Sequence, residues 1–258
     1  MNLPFSVQAL ILDMDGVLWQ GQQPIGDLPS IFARIHQQGW KVILATNNAS
    51  RTPDQYVTRL AGYGVQVETW QVINSAHAVT RYLSQQYPAG GTVYVIGEVG
   101  ITEALEEHGF KVGEENAIAV VVGIDRQLSY EKLCRATLLI RSGVPFIGAN
   151  PDVTFPTPEG LVPGAGAILA ALETATSVKP LIMGKPSPAM YQLALERLGT
   201  SPGETLVVGD RLETDIAGAQ AIGCRTALVL TGVTPEADAH AWQPPPDVLA
   251  RDLASLVA

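Results

Sequence analysis

Four short segments of this 258-residue sequence bring together groups able to bind a metal and an anion: Asp13-Met14-Asp15-Gly16, Thr46-Asn47-Asn48, Gly184-Lys185-Pro186, and Gly209-Asp210-Arg211 followed by Asp215. Asp13, Asp15 and Asp210 in one place would be an unstable trio of like charges unless a cation joined them. A hard divalent ion that takes oxygen ligands and keeps several waters, Mg²⁺ above all, meets that need. Lys185 is a point charge suited to a phosphate, and Thr46, Asn47 and Asn48 offer neutral donors to its oxygens. Gly16 and Gly209 let backbone come close to a ligand. A carboxylate beside a metal and facing a clamped phosphate is a nucleophile that can form an aspartyl-phosphate.

Such a site requires elements that carry distant segments to one place. Residues 7–12 form an apolar run interrupted only at Gln8, which predicts a buried parallel strand. Leu28, Ile31, Phe32 and Ile35 then recur at helical spacing, with Gly39 placed to end the helix. Residues 42–45 read as the next strand, and Thr52 or Ser50 with Pro53 opens a helix bearing Tyr56, Val57 and Leu60. The rhythm continues with strands at 92–96, 117–124 and 145–149 and helices at 101–108, 129–141 and 166–173. It ends with strands at 181–183, 205–208 and 226–230 and helices from Pro188 and Thr214. This is an α/β protein with largely parallel, helix-covered sheets. In such sheets ligands lie beyond the carboxyl ends of the strands, and all four polar segments follow predicted strands. Tyr87-Pro88-Ala89-Gly90-Gly91 and residues 176–180 are breaks that bracket an inserted segment of domain size.

Composition excludes several classes. Apolar residues make up 47% and charged residues 16%, a globular profile. The longest apolar runs fall far short of a bilayer span, so the mean hydropathy of +0.17 reflects a large core. The first residues, MNLPFSVQ, lack the pattern of a secretory signal. The net charge of −9 argues against nucleic acid or an anionic membrane as partner, while leaving room for a small anion at a locally positive site. Two cysteines, Cys134 and Cys224, build no disulfide framework and fit a reducing cytoplasm. Taken singly, each motif has a plainer reading. Asp-x-Asp-Gly is often a turn, Lys185 could be a solvated loop lysine, Asn-Pro-Asp at 150–152 could be an ordinary turn, and Trp19 could simply pack. Four ordered motifs at four strand ends are harder to read that way.

Together they resemble the haloacid dehalogenase superfamily. Its first motif stands here as Leu12-Asp13-Met14-Asp15-Gly16-Val17-Leu18, its second as Thr46, its third as Lys185 and its fourth as Asp210 and Asp215 within GDRLETDI. The runs Ala45-Thr46-Asn47-Asn48 and Met183-Gly184-Lys185-Pro186-Ser187-Pro188 are similar to the subgroup with a type IIA cap, the NagD-like and p-nitrophenyl-phosphatase-like enzymes. The resemblance implies a Rossmann-like parallel-sheet core, residues 1–78 and 179–258, with an α/β cap, residues 79–178, inserted in it. It implies a Mg²⁺-dependent phosphatase for small phosphorylated metabolites such as sugar phosphates, nucleotides, phosphoglycolate or p-nitrophenyl phosphate. Asp13 resembles the nucleophile and Asp15 the general acid–base. Asp13, the Asp15 carbonyl and Asp210 resemble the metal ligands, with Asp215 as a further carboxylate. Thr46 and Lys185 resemble the phosphate clamp, Asn47 and Asn48 are secondary phosphate candidates, and Asn150 and Asp152 resemble the cap loop that meets substrate. Family caps of this kind often mediate dimers, so a homodimer through the cap is also implied. A phosphomutase of the same superfamily and a non-catalytic module on the same fold are the competing readings; the complete Asp13, Asp15, Thr46, Lys185 and Asp210 set speaks against the module.

Overall fold

Ala9–Leu12 is apolar and buried at all four positions, as a central strand covered on both faces must be. It pairs in parallel with Lys41–Thr46 on one side and Thr205–Gly209 on the other. Arg225–Val229 and Val248–Ala250 extend the sheet in parallel beyond Thr205–Gly209, and Val72–Asn74 takes the opposite edge. The computed structural model describes residues 3–157 and 160–258. Residues 1–2 of the expected core and 158–159 of the expected insert lie outside that range.

Helix Leu28–Gln37 buries Leu28, Ile31 and Ile35, the stripe that the spacing predicts, with Phe32 packed at the margin of the same core. Asp27 caps it by accepting from the Ser30 N–H, and Gly39 turns the chain away at φ +72°. Helix Pro53–Gly62 begins on proline, where a missing N–H costs nothing, and buries Tyr56 and Leu60.

The chain divides into two compact units. The first contains Met1–Thr46, Asp54–Ile73 and Pro186–Ala258; the second contains Asn47–Pro53 and Asn74–Lys185. The second has its own five-stranded sheet, in the order Leu181–Ile182, Phe146–Gly148, Ala117–Val122, Gly91–Ile96, Phe110–Val112, parallel throughout. Its core joins Ile96, Val120 and Val122 to Ala136 and Ile140 of helix Tyr130–Arg141 and to Leu169 and Leu172 of helix Ala165–Thr176. Ser129 caps the first of these helices through the Lys132 N–H.

Two expectations from sequence need correction. The strand at 181–183 belongs to the second sheet, where Leu181–Ile182 pairs with Ile147 and Gly148 at an edge. Two apolar residues carry no periodicity that could say which sheet they join. The helix expected from Thr214 is a π-helical turn, Leu212–Ile216, followed by a short α-helix, Ala217–Ala221. The turn is π-helical because the Ile216 N–H reaches back five residues to the Arg211 carbonyl, at 3.2 Å, a contact that helical spacing in the sequence does not reveal.

Candidate active site

In the first unit the register Leu12↔Val208 sets two strand ends side by side. The ladder runs one residue further, since the Asp13 N–H donates to the Val208 carbonyl at 2.8 Å. Asp13 and Asp210 therefore leave adjacent parallel strands at the same edge. Asp215 joins them from the π turn, and carboxylate oxygens of Asp13, Asp210 and Asp215 all lie within 4.8 Å of one another, each residue buried. Asp210 Oδ2 accepts from the Val233 N–H at 2.7 Å, and Asp215 Oδ2 from the Arg211 N–H at 3.1 Å.

The π turn brings Asp215 into reach. Asp215 N–H and Ile216 N–H both donate to the Arg211 carbonyl, at 3.0 and 3.2 Å, so the backbone bulges by one residue. Tyr191 Oη donates to the displaced carbonyls of Thr214 and Asp215, at 2.9 and 3.1 Å. Close approach of the acids depends on three neighbours that lack a side chain. A Cβ on Gly209 would overlap Asp215, and one on Gly16 or Gly232 would overlap the Asp210 carboxylate.

Three buried carboxylates this close repel one another strongly without a cation. Their donor set is all oxygen and all anionic, which fits a hard divalent ion. Asp15 is not part of this cluster. Its Oδ1 instead accepts from the Trp19 indole N–H at 2.8 Å. Thr46, buried, ends strand Lys41–Thr46.

The second unit contains the other expected residues. The Asn47 side chain braces the Lys185 backbone: Oδ1 accepts from Lys185 N–H at 2.7 Å and Nδ2 donates to Lys185 O at 3.0 Å. Nδ2 also reaches Asp152 Oδ1 at 3.5 Å. Asn150 Nδ2 and Ser75 Oγ both donate to the Asn47 carbonyl at 2.7 Å. Asn47, Asn150, Asp152 and Lys185 thus form one network, and the Asn47 amide has its hydrogen-bonding groups committed to holding Lys185. Asn150 also makes the plainer turn, its Oδ1 accepting from the Asp152 N–H at 3.1 Å. Asn48 Oδ1 accepts from the Ser50 N–H at 3.0 Å, a local loop contact. Lys185 is almost fully buried, 3% exposed, where an ammonium requires compensating anions or acceptors.

The sequence reads Trp19 as packing, close enough to the first motif to line a pocket entrance, and offers no signal for Tyr191 or Arg59. The position of Trp19, four residues after Asp15, carries that signal; the direction of its indole N–H is not in the sequence. Nothing in the sequence distinguishes Tyr191 from an ordinary helix tyrosine, because its partners are backbone carbonyls of a distant turn.

Comparison with known proteins identifies the family. Residues 10–111 match the model of the haloacid dehalogenase-like hydrolases, and residues 182–256 match a second, HAD-hydrolase-like model. The 5'-nucleotidase YutF of Bacillus subtilis is 40% identical over 224 residues, 87% of each chain. The structure of NagD from Escherichia coli K-12 superimposes with a TM-score of 0.90 at 31% identity, covering 97% of this chain and 98% of that one. A glycerol phosphate phosphatase of Mycobacterium tuberculosis, solved in complex with magnesium, superimposes with a TM-score of 0.91 at 35% identity, covering 97% of this chain and 76% of that one. The chain belongs to the haloacid dehalogenase-like hydrolases, and within them to the NagD-like branch, subfamily IIA.

Proposed function

We propose that this chain, a phosphatase of the haloacid dehalogenase type, hydrolyses small phosphate monoesters through an aspartyl-phosphate on Asp13 and depends on Mg²⁺. The buried Asp13, Asp210 and Asp215 cluster, with Asp15 held apart from it, is the observation that carries the reading. Asp13, Asp210 and the Asp15 carbonyl, with Asp215, would hold the metal, which supplies Lewis-acid neutralisation of phosphoryl charge when bound. Asp13 attacks phosphorus in line. Asp15 gives its proton to the departing alcohol and then takes one from the water that hydrolyses the intermediate, a role worth about 10²–10⁴-fold. Thr46 and Lys185 bind the phosphoryl oxygens; Asn47 fixes the Lys185 backbone, and Asn48 shapes the loop after Thr46. The second unit, with Asn150 and Asp152, serves as the substrate-selecting cap. Names among the relatives and structural neighbours, 5'-nucleotidase and glycerol phosphate phosphatase, support small phosphorylated metabolites as the substrate class. Both cysteines stand outside disulfides, which supports a reducing cytoplasm.

The test is phosphate release from p-nitrophenyl phosphate, a glycerol phosphate, sugar phosphates and nucleoside 5'-monophosphates, with Mg²⁺ and with EDTA. Release that requires Mg²⁺ is expected, and the rank order names the preferred ester. A folded, Mg²⁺-binding protein that releases phosphate from none of them overturns the proposal, and an isomerised ester without free phosphate replaces it with a mutase.

A further inference from the structure

We propose that Trp19 is the positioning residue for Asp15, fixing which carboxylate oxygen handles the catalytic proton; this rests on the reading of Asp15 as the acid–base. An indole N–H can only donate. It is bound to Asp15 Oδ1 at 2.8 Å. The carbonyl oxygen of a carboxylic acid is a stronger acceptor than its hydroxyl oxygen, so this bond favours Oδ1 as the carbonyl and Oδ2 as the oxygen that carries the proton.

The donor is itself held from several directions. Trp19 has no solvent exposure. Its ring lies nearly parallel to Tyr56, with centroids 6.4 Å apart and planes at 8°, and tilted against Tyr63 at 6.1 Å. The Arg59 guanidinium lies 4.0 Å above the indole face. Trp19 opens a small hairpin, Trp19–Gln20 with Gln23–Pro24. The turn of that hairpin is tied to the same partners: Arg59 donates to the Gly21 carbonyl, and Tyr63 Oη donates to the Gln22 carbonyl at 2.8 Å. Arg59 Nε also donates to Tyr63 Oη at 3.2 Å. Packing alone would be met by phenylalanine at position 19. What the indole adds is a donor aimed at Asp15, held on a ring that its neighbours keep from turning.

In the first half-reaction the Asp13–phosphorus bond forms and the ester P–O bond breaks. The departing oxygen keeps the electron pair and takes the proton from Asp15 Oδ2. In the second, water oxygen bonds to phosphorus, Asp13 leaves as carboxylate, and the water's proton returns to Oδ2. An alkyl ester needs that proton far more than p-nitrophenyl phosphate does, because p-nitrophenolate leaves readily without it. Loss of the Trp19 donor must therefore fall unequally on the two esters.

The experiment compares kcat/KM of the Mg²⁺-loaded wild type and Trp19→Phe on glycerol phosphate and on p-nitrophenyl phosphate. The parameter kcat/KM reports steps through alcohol release. The same comparison is read with 3-benzothienylalanine at position 19, which exchanges the N–H for sulfur and keeps the ring shape. Both replacements should lower kcat/KM for glycerol phosphate about tenfold or more while p-nitrophenyl phosphate changes by about threefold or less. Equal losses on the two esters, a larger loss on p-nitrophenyl phosphate, or no loss on either overturns the inference and leaves Trp19 a packing residue in a working phosphatase. A wild type that releases phosphate from neither ester overturns the phosphatase reading and this inference with it.

Discussion

In the first unit carboxylates gather just beyond strands Ala9–Leu12 and Thr205–Gly209; in the second, the glycines that follow Gly91–Ile96 and Ala117–Val122 have the Ile101 side chain against them. The backbone does the same thing in both. Asp13 N–H extends the ladder to Val208 O at 2.8 Å, and Gly123 N–H extends it to Ile96 O at 2.8 Å. Glycines make room in both. At Gly209 the added Cβ would strike Asp215, whereas at Gly97 and Gly123 it would strike Ile101 Cδ1. Two parallel sheets thus offer the same kind of position past a strand end; the first gathers three buried carboxylates there, whereas the second pairs its acids with cations, Glu98 with Arg126 at 2.7 Å and Asp125 with Lys132 at 2.6 Å. The fold supplies the location and the side chains supply the chemistry.

The sharpest way to break this contrast is a pair of matched substitutions. Gly209→Ala should lower phosphate release by about 100-fold or more and cost about 1–3 kcal/mol in urea melts, because Asp215 Cβ and Cγ have nowhere to go. Gly123→Ala should leave turnover unchanged and cost about 1 kcal/mol, because the atom it meets is the far end of Ile101. Equal effects from the two would erase the distinction between the sheets. Next in size is the response to metal. Saturating Mg²⁺ at about 100 times its Kd should stabilise the protein by about 2.7 kcal/mol, read as a rise in Tm that EDTA reverses. Asp215→Asn should raise the Tm in EDTA, by relieving repulsion among the three acids, and shrink the Mg²⁺ shift. A smaller effect is expected at Tyr191→Phe, which removes the hydroxyl that holds the Thr214 and Asp215 carbonyls. Calorimetric titration should show Mg²⁺ affinity reduced about tenfold, with a stability loss of about 1 kcal/mol. The mildest contrast lies between the thiols. Burial pushes the Cys224 thiol up to about 12, while Cys134 is only partly buried. Cys134 should react first with a disulfide reagent at pH 8, and Cys224 only on unfolding. Because the fold favours the protonated Cys224 thiol, its contribution to stability is full below about pH 9 and is lost as the pH climbs towards 12. Alkaline melts of Cys224→Ala should lack that component.

Much of the first sheet was legible because its signals are local. Residues 9–12 are apolar without a break, and Asp13 and Asp15 follow immediately. Leu28, Ile31 and Ile35 keep helical spacing. The edges were not legible: Val72–Asn74, Phe110–Val112 and Val248–Ala250 are three residues each, too short for any period to show. The sheet membership of Leu181–Ile182 depends on pairing with residues more than thirty positions earlier. The site divides the same way. The types of Asp13, Asp15, Thr46, Lys185, Asp210 and Asp215 are readable in sequence. The work of Asn47 on the Lys185 backbone depends on a contact between residues 138 positions apart. The Trp19 indole was close enough in sequence to be noticed, yet its direction is set by Arg59, Tyr56 and Tyr63 on later segments.

The central claim is that Asp13 receives the phosphoryl group. It is tested by rapid acid quench of the Mg²⁺-loaded protein with a ³²P-labelled monoester, followed by peptide mapping and hydroxylamine treatment. The account predicts hydroxylamine-labile label on the peptide containing Asp13, absent with EDTA, and phosphate release reduced by about 10⁴-fold or more in Asp13→Asn. Label on a different residue, or undiminished turnover in Asp13→Asn, would contradict it.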